Sequence, residues 1–503
     1  MNSTIFRNES PASAVRPTEF QAGGNRFGAL VLWTFVAVTA FCLSYASGQT
    51  GFIVVVYLFA LVQLARAGTW RKAFYSGLAV GLSLAALRLG FLWTIFSGGA
   101  LALWLVYAFW VGLFVALARL CLRFDWARVL RRPDNHAFGW FLVPFIWCGL
   151  EYFRSESYYL RFSWLSPGFA FAPMPWLMPL RLVGAYGAGF LLVAVACVAV
   201  FLWPRSWIKS TLSLLGGTGV LFLAGWVGDK PSAVAPANSL HVAGVQMEFP
   251  TEAEVLTRLN EVVRRHPEAE LLVLSEYTFL DPVPEKVKAW CRQHQRYLVV
   301  GGKDPAPGGN FYDTAFVVSP AGEVVFRQGK CVPIQFFKDG LPATSQRLWD
   351  SPWGPLGFCV CYDLSYSRVT DRLVGLGAEA LIVPTMDVVD WGEPQHRLHA
   401  RVGPVRAAEY DVPIFRVASS GISQLIDHDG RVVATAPCPG EGALISGTLG
   451  LRSAGHLPWD RWLAPFSAGL TVVLCVVFLL DRLGLIFTRA SAANGRCAEG
   501  TLC

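Results

Sequence analysis

The chain has 503 residues, 54% of them apolar and 15% charged, against about 45–50% and 25% in an ordinary soluble domain. With 19 Trp and 35 Phe, this excludes a disordered or nucleic-acid-tail class and a single small soluble domain, and points to membrane residence. The net charge of +7 reads first as loop charge that sets topology, not as a surface for acidic partners. Residues 1–26 are polar and rich in Ser, Asn, Arg and Pro; they lack the apolar core and small-residue cleavage site of a signal peptide and read as a cytoplasmic tail. Apolar stretches long enough to span a bilayer follow at 28–46, 51–65, 73–97, 101–122, 137–153, 182–203 and 211–228, with an eighth at 463–480. The expected organisation is a transmembrane α-helical bundle of about seven spans over 27–228, a C-terminal transmembrane helix over 459–487 and a cytoplasmic tail over 488–503.

Lys and Arg accumulate in short cytoplasmic loops, so loop charge orients the bundle. Arg7, Arg16 and Arg26 precede the first span; Arg66, Arg71 and Lys72 follow the second; Arg119, Arg123, Arg128, Arg131 and Arg132 follow the fourth. Arg205 and Lys209 lie between the sixth and seventh, and Arg482, Arg489 and Arg496 follow the eighth. All belong inside. The tight turns near Gly48 and Gly98 carry no basic residue, and the 154–181 loop, with Arg154, Arg161 and Arg181, is placed outside because it is long and semi-apolar. By parity, the polar block 229–458 also lies outside the cytoplasm. Arg88, within the third span, is costly there unless it faces protein, water or a headgroup; it is read either as a phosphate contact or as a snorkelling side chain.

The 229–458 block reads as a globular α/β domain. Strand-like runs at 241–247, 270–275, 297–302, 314–319, 356–361, 380–385 and 413–418 alternate with helical patterns near 252–266, 284–295 and 396–410. Turn signals at Pro320-Ala321-Gly322 and Asp427-His428-Asp429-Gly430 add hairpins, so the sheet is mixed and the fold is not simply doubly wound.

Three reactive groups fall at strand ends, where a sheet holds side chains rigidly at a site. Glu276 ends the run at 270–275, Lys330 closes VVFRQGK, and Cys361, followed by Tyr362 and Asp363, ends LGFCVC. A thiolate nucleophile needs a lowered pKa, which an ammonium and a helix starting near Ser365 would supply, with the glutamate as base. Taken singly, each has a bland alternative as a solvated charge, a surface Lys or a small core thiol. Twelve Cys without CxxC or metal spacing indicate neither a disulfide scaffold nor a zinc module. His396 and His399 lie three apart on one helix face without a carboxylate at metal spacing, so they are read as structural and no metal site is expected. Cys359 is expected to be core.

LLVLSEYTFLD, GGNFYDTAFVVSPAGEVVFRQGKCVP and GFCVCYDLSYS resemble, in order, the Glu, Lys and Cys motifs of the nitrilase (carbon–nitrogen hydrolase) superfamily. The stretch MDVVDWGEPQHRLHARVGPVRAAEYDVPIFRVASSGISQLIDHDG, ending at Gly430, resembles the region after that nucleophile. The membrane half, in WCGLEYFRS, FSWLSPGFAF and LVGAYGAGFLLV, has Trp147, Glu151, Trp164, Gly168, Gly184, Tyr186 and Gly187 where the membrane-embedded apolipoprotein N-acyltransferase branch carries them. The resemblance implies a helical bundle joined to an α/β nitrilase-like αββα sandwich, the latter in the periplasm of a bacterial inner membrane. It also implies Glu276 as general base, Lys330 as the cation stabilising thiolate and oxyanion, and Cys361 as nucleophile; Tyr362 and Asp363, which flank the nucleophile, are read from that position as oxyanion or supporting contacts, the Tyr362 backbone N–H being the expected oxyanion donor. The implied donor is a phospholipid such as phosphatidylethanolamine. The implied acceptor is the α-amine of a diacylated apolipoprotein, with no cofactor and no nucleic acid.

Two segments depart from that branch. Around the lysine it reads like K-x-x-L-V-P-F-G-E, whereas here Lys330 is followed by Cys331-Val332-Pro333-Ile334-Gln335-Phe336. Phe336 occupies the place of a second glutamate, and Asp339 is the nearest carboxylate; both are expected substrate contacts. The segment VQMEFPTEAEV lacks the Trp often found there. A membrane-tethered amidase that uses water, and a non-catalytic lipid-binding homologue, remain alternatives.

Overall fold

The computed structural model describes residues 26–46, 48–130, 137–228, 238–452 and 454–485. Arg7, Arg16, Arg131, Arg132, Arg489 and Arg496, the side chains of Arg26 and Arg128, the 488–503 tail and the linker 229–237 lie outside the described residues.

Helices occupy all eight expected places: Arg26–Ser44, Val54–Leu64, Trp70–Arg88, Ala100–Arg123, Phe138–Tyr152, Leu180–Leu202, Trp207–Gly228 and Asp460–Arg482. Five apolar segments are long enough to cross a membrane by length and composition: Phe27–Ser44, Phe91–Arg123, Leu180–Leu202, Trp207–Gly228 and Asp460–Arg482. The third stretch is not the single helix expected over 73–97. It stops at Arg88 and resumes as Phe91–Phe96, which leads into the next helix. The Arg88 guanidinium donates to the carbonyl of Cys42 in the last turn of the first helix. That satisfies one of the carbonyls a helix end leaves open, at membrane depth where water is scarce. Arg88 thus neither snorkels nor lies among the residues that line the chamber described below.

Twelve strands build the polar domain: β1 Asn238–Val245, β2 Leu271–Val273, β3 Tyr297–Ala306, β4 Asn310–Val318, β5 Val324–Gly329, β6 Trp349–Ser351, β7 Gly354–Phe358, β8 Ala380–Thr385, β9 Ile414–Ala418, β10 Gln424–Ile426, β11 Val432–Thr435 and β12 Leu444–Leu451. They form two six-stranded sheets, ordered β12-β1-β2-β3-β4-β5 and β11-β10-β9-β8-β7-β6. Side chains alternate across a strand, and the two cores follow that period. Val242, Leu271, Val273, Val299 and Val317 meet Phe358, Ile382 and Val417 between the sheets. Ala243, Val245, Leu272, Leu298 and Val300 face Val255, Leu259, Val287 and Trp290 of the covering helices Glu252–Arg265 and Glu285–His294. The second sheet is covered by Ser367–Gly375 and Val402–Tyr410, which completes the αββα layering.

Both expected hairpins are present, β4–β5 and β10–β11. β12 escapes sequence reading because LISGTLGL carries two glycines that weaken strand propensity; its pairing along β1 compensates. The helix expected over 396–410 is two, Glu393–Ala400 and Val402–Tyr410. At the break, the Arg401 guanidinium donates to the bundle carbonyl of Tyr45 at 3.0 Å.

Buried charge ties the halves together. The helix drawn as Leu180–Leu202 is interrupted at Gly184, at φ 70° and ψ 177°, a region essentially reserved for glycine. The amides this frees are capped by carboxylates: Glu409 accepts from Ala185 N–H at 2.9 Å and Asp460 from Tyr186 N–H at 3.0 Å. Arg461 then binds Asp371, Glu409 and Asp460. A Cβ on Gly184 would run into the Asp460 carboxylate. Gly184→Ala is expected to destabilise the protein by at least about 1–3 kcal/mol from backbone strain alone. The check is a lowered Tm of the detergent-solubilised protein; an unchanged Tm would remove this turn from the docking account.

Candidate active site

Glu276, Lys330 and Cys361 each leave the end of a strand and converge. Glu276 follows β2, where Gly301 of β3 leaves room that a Cβ would take from the Glu276 backbone. Lys330 follows β5, its N–H bonded to the Asp313 carbonyl at 2.7 Å. Cys361 follows β7 at φ 52° and opens the short 3-10 turn Cys361–Ser365. That left-handed backbone is costly for a residue with a Cβ and is held by its surroundings. Asp363 holds it, accepting from Val360 N–H at 3.3 Å, from Cys331 N–H at 3.0 Å and from Val332 N–H at 2.7 Å. It ties the nucleophile turn to the lysine loop. Tyr362 donates its hydroxyl to the Arg161 carbonyl at 3.1 Å, which anchors the turn to the bundle.

Lys330 Nζ lies 2.7 Å from Glu276 Oε1, 2.7 Å from Asp339 Oδ2 and 3.4 Å from Asp313 Oδ2. The other Glu276 oxygen accepts from Met386 N–H at 2.6 Å, and Cys361 Sγ is 3.6 Å from the Met386 carbonyl. Asp339 also accepts from Tyr277 Oη at 3.0 Å and Ile334 N–H at 2.7 Å. Asp339 therefore holds both the ammonium and the loop that follows it.

One ammonium cannot neutralise three ionised carboxylates in a dry site. Of the three, Asp313 is the carboxyl that burial, and next Glu276, push well above its usual range and toward the protonated form. Burial is the largest influence and opposes the Glu276 charge, but Lys330 together with the hydrogen bonds Glu276 accepts holds it below the usual carboxylate range. Burial likewise works against the Lys330 cation, and Glu276 with Asp339 keeps it charged. The thiol corrects the sequence expectation of a lowered pKa. Burial, then Glu276, push Cys361 well above the ordinary thiol value, and Lys330 only partly offsets them. The expected helix start at Ser365 is also absent; the α-helix begins at Ser367, after the 3-10 turn. At rest the group is therefore a thiol beside a carboxylate, which fits proton transfer during attack, not a stored thiolate.

Cys361 opens into a chamber between domain and bundle. Its walls are largely apolar: Leu92, Phe96, Val106, Trp110 and Phe162 from the bundle, and Ile334, Phe336 and Trp391 from the domain. Phe336 and Phe337 both contact Phe96, at ring-centroid distances of 5.9 and 5.7 Å. Cys359 is fully buried in the apolar core, on the face of its strand opposite Phe358. His396 and His399 have separate tasks. His396 is bonded to Cys438 and to the Val388 carbonyl, while His399 stacks on Trp164 at 4.7 Å and bonds Asp387 at 2.8 Å.

Sequence reasoning missed Asp313 and the Asp387–His399–Arg416 group, in which Asp387 also receives Arg416 at 2.6 Å. A signal for Asp313 was present: an acidic residue inside the otherwise apolar strand NFYDTAFVV needs a buried partner.

Residues 27–198 match the family model described as the apolipoprotein N-acyltransferase N-terminal domain, and residues 242–456 match that of carbon-nitrogen hydrolase. The apolipoprotein N-acyltransferase of Shewanella oneidensis is 23% identical over 462 residues, covering 82% of this chain and 86% of that relative. That of Geobacter metallireducens is 24% identical over 458 residues, covering 81% and 85%. The crystal structure of a carbon-nitrogen hydrolase from Helicobacter pylori G27 is 16% identical, with a TM-score of 0.37, and covers 49% of this chain and 94% of that one. With both domains in one polypeptide and relatives aligned across most of its length, the chain is similar to apolipoprotein N-acyltransferases in both its halves.

Proposed function

We propose that this protein transfers an acyl chain from a phospholipid, through a thioester on Cys361, to the α-amine of a diacylglyceryl-cysteine at a lipoprotein N-terminus. The observation that carries the reading is the buried Cys361, with Glu276 and Lys330 beside it, at the head of a largely apolar chamber shared by bundle and domain. A long acyl chain fits such walls, and a small hydrophilic amide does not need them.

In the first half-reaction, Cys361 Sγ attacks the donor ester carbonyl while Glu276 takes the thiol proton. Lys330 and the Tyr362 backbone N–H stabilise the oxyanion. The carbon–oxygen bond then breaks, and the lysophospholipid alcohol leaves with the proton held by Glu276. In the second, the neutral amine attacks the thioester, Glu276 takes its proton, and the carbon–sulfur bond breaks. The proton returns to Cys361, and the product is an amide. Asp339 takes the place of the second carboxylate on Lys330. Loop charge supports a multi-pass bacterial inner-membrane protein whose catalytic domain faces the periplasm.

The test supplies purified protein with phosphatidylethanolamine and a synthetic diacylglyceryl-cysteine peptide, and follows the peptide by mass spectrometry. One added acyl chain on the amine is expected, with stoichiometric lysophospholipid. Free fatty acid without peptide acylation would favour water as acceptor, and an unreactive Cys361 would favour a lipid-binding homologue.

A further inference from the structure

The 154–181 segment carries three arginines on the side assigned to the periplasm, where loop charge alone does not call for them. Arg181 is accounted for by its ion pair with Asp411 at 2.6 Å. Arg154 and Arg161 are not: both line the Cys361 chamber, and neither has a carboxylate within ion-pair distance among the described residues. Arg154 is 8% exposed, its Nη1 has no hydrogen-bond partner, and its guanidinium lies over the Tyr107 ring at 5.3 Å. Arg161 is half-buried, its Nε is likewise unpartnered, and it lies over Tyr366 at 5.7 Å. The nearby acids are otherwise placed. Glu156 is engaged by Tyr186 and Ser367, while Glu151 shares an adjoining recess with Arg154 but forms no ion pair with it at contact distance.

Two guanidinium groups without anionic partners in an apolar chamber leave a strong donor set unused, and buried charge persists where something pairs with it. Guanidinium forks match phosphate oxygens in geometry and charge. We propose that Arg154 and Arg161 form a binding site for the phosphodiester of the donor lipid, holding its headgroup at the chamber while the acyl ester reaches Cys361. This rests on the acyl-donor reading above and adds a requirement to it: the protein selects lipids by their phosphate, not only by their chains. The Tyr107 and Tyr366 rings already lie against the two guanidinium groups before a ligand arrives, which limits the side-chain freedom to be lost on binding.

The test reads binding apart from chemistry. Native mass spectrometry of the full-length Cys361→Ala protein in detergent compares phosphatidylethanolamine, phosphatidylglycerol and a diacylglycerol with identical chains. Both phospholipids are expected to bind about 10- to 100-fold more tightly than diacylglycerol. Arg154→Gln with Arg161→Gln is expected to erase that difference while leaving diacylglycerol binding unchanged; Lys at both positions restores part of it. Equal binding of all three lipids to the Cys361→Ala protein, or a phosphate preference that survives the double substitution, would overturn the site. If the double variant fails to fold, the three-lipid comparison and competition by inorganic phosphate still decide. Phosphate-selective binding together with absent acylation in the parent protein would instead count against the acyl-donor reading alone.

Discussion

Replacing Cys361 with Ala is expected to abolish the acyl adduct that forms on the protein during incubation with phosphatidylethanolamine, while Cys359→Ala acylates at the parental rate. The two thiols are two residues apart in one apolar run, both are buried, and burial raises the pKa of both. What separates them is direction and company. Cys359 packs into the apolar core, away from Glu276 and Lys330, with Asp363 the charge that acts on it most. Cys361 turns out of the strand at φ 52° toward Glu276, Lys330 and the chamber. The measurement is intact-protein mass, with hydroxylamine to release a thioester. An acyl-sized, hydroxylamine-labile adduct on Cys361→Ala, or its loss from Cys359→Ala, would reverse the assignment.

Glu276→Gln should slow acylation by about 10³-fold, within the 10²–10⁴ range of a positioned general base. Gln keeps the shape and the Met386 contact but cannot accept the thiol proton. The pH dependence follows from the same charges. Against burial, Lys330 and the hydrogen bonds Glu276 accepts hold it below the ordinary carboxylate value, so the base form persists as pH falls through that value. Burial and Glu276 hold Cys361 above the ordinary thiol value, so the thiol persists as pH rises through it. The reactive combination of thiol, carboxylate and ammonium is thus present throughout, and the rate should be flat between about pH 5 and 8.5. Initial acylation rates with phosphatidylglycerol, whose charge is constant over that interval, supply the check. A tenfold rise per pH unit approaching 8.5 would mean that a preformed thiolate attacks, and the proton-transfer account would fail.

Much of the molecule is legible in the chain. Apolar length located the eight helices, because a bilayer imposes its thickness on any segment that crosses it. Period-two patterning located β1 to β5 and β7 to β9, and Glu276, Lys330 and Cys361 stood out as reactive groups at strand ends. Those signals are local, written within a few residues of where they act. Elements without a local signal were lost: β12, weakened by glycine and held by β1, and the break at Arg401, held by bundle carbonyls.

The charge state of the site belongs to the tertiary structure alone. By sequence, Lys330 was a cation available to a thiolate. In the fold it is already shared by Glu276, Asp313 and Asp339, which come from three separate segments, while burial and then Glu276 push the thiol above its ordinary value. Likewise Arg88 was the conspicuous membrane arginine, yet a helix end uses it, while Arg154 and Arg161, noted only as loop charge, line the chamber without a carboxylate at ion-pair distance among the described residues. Composition and periodicity determine which segments leave water and which reactive groups end strands. Only the packed chain decides which charges meet in a low-dielectric site, because their energies depend on distance and burial, and neither is encoded at any single position.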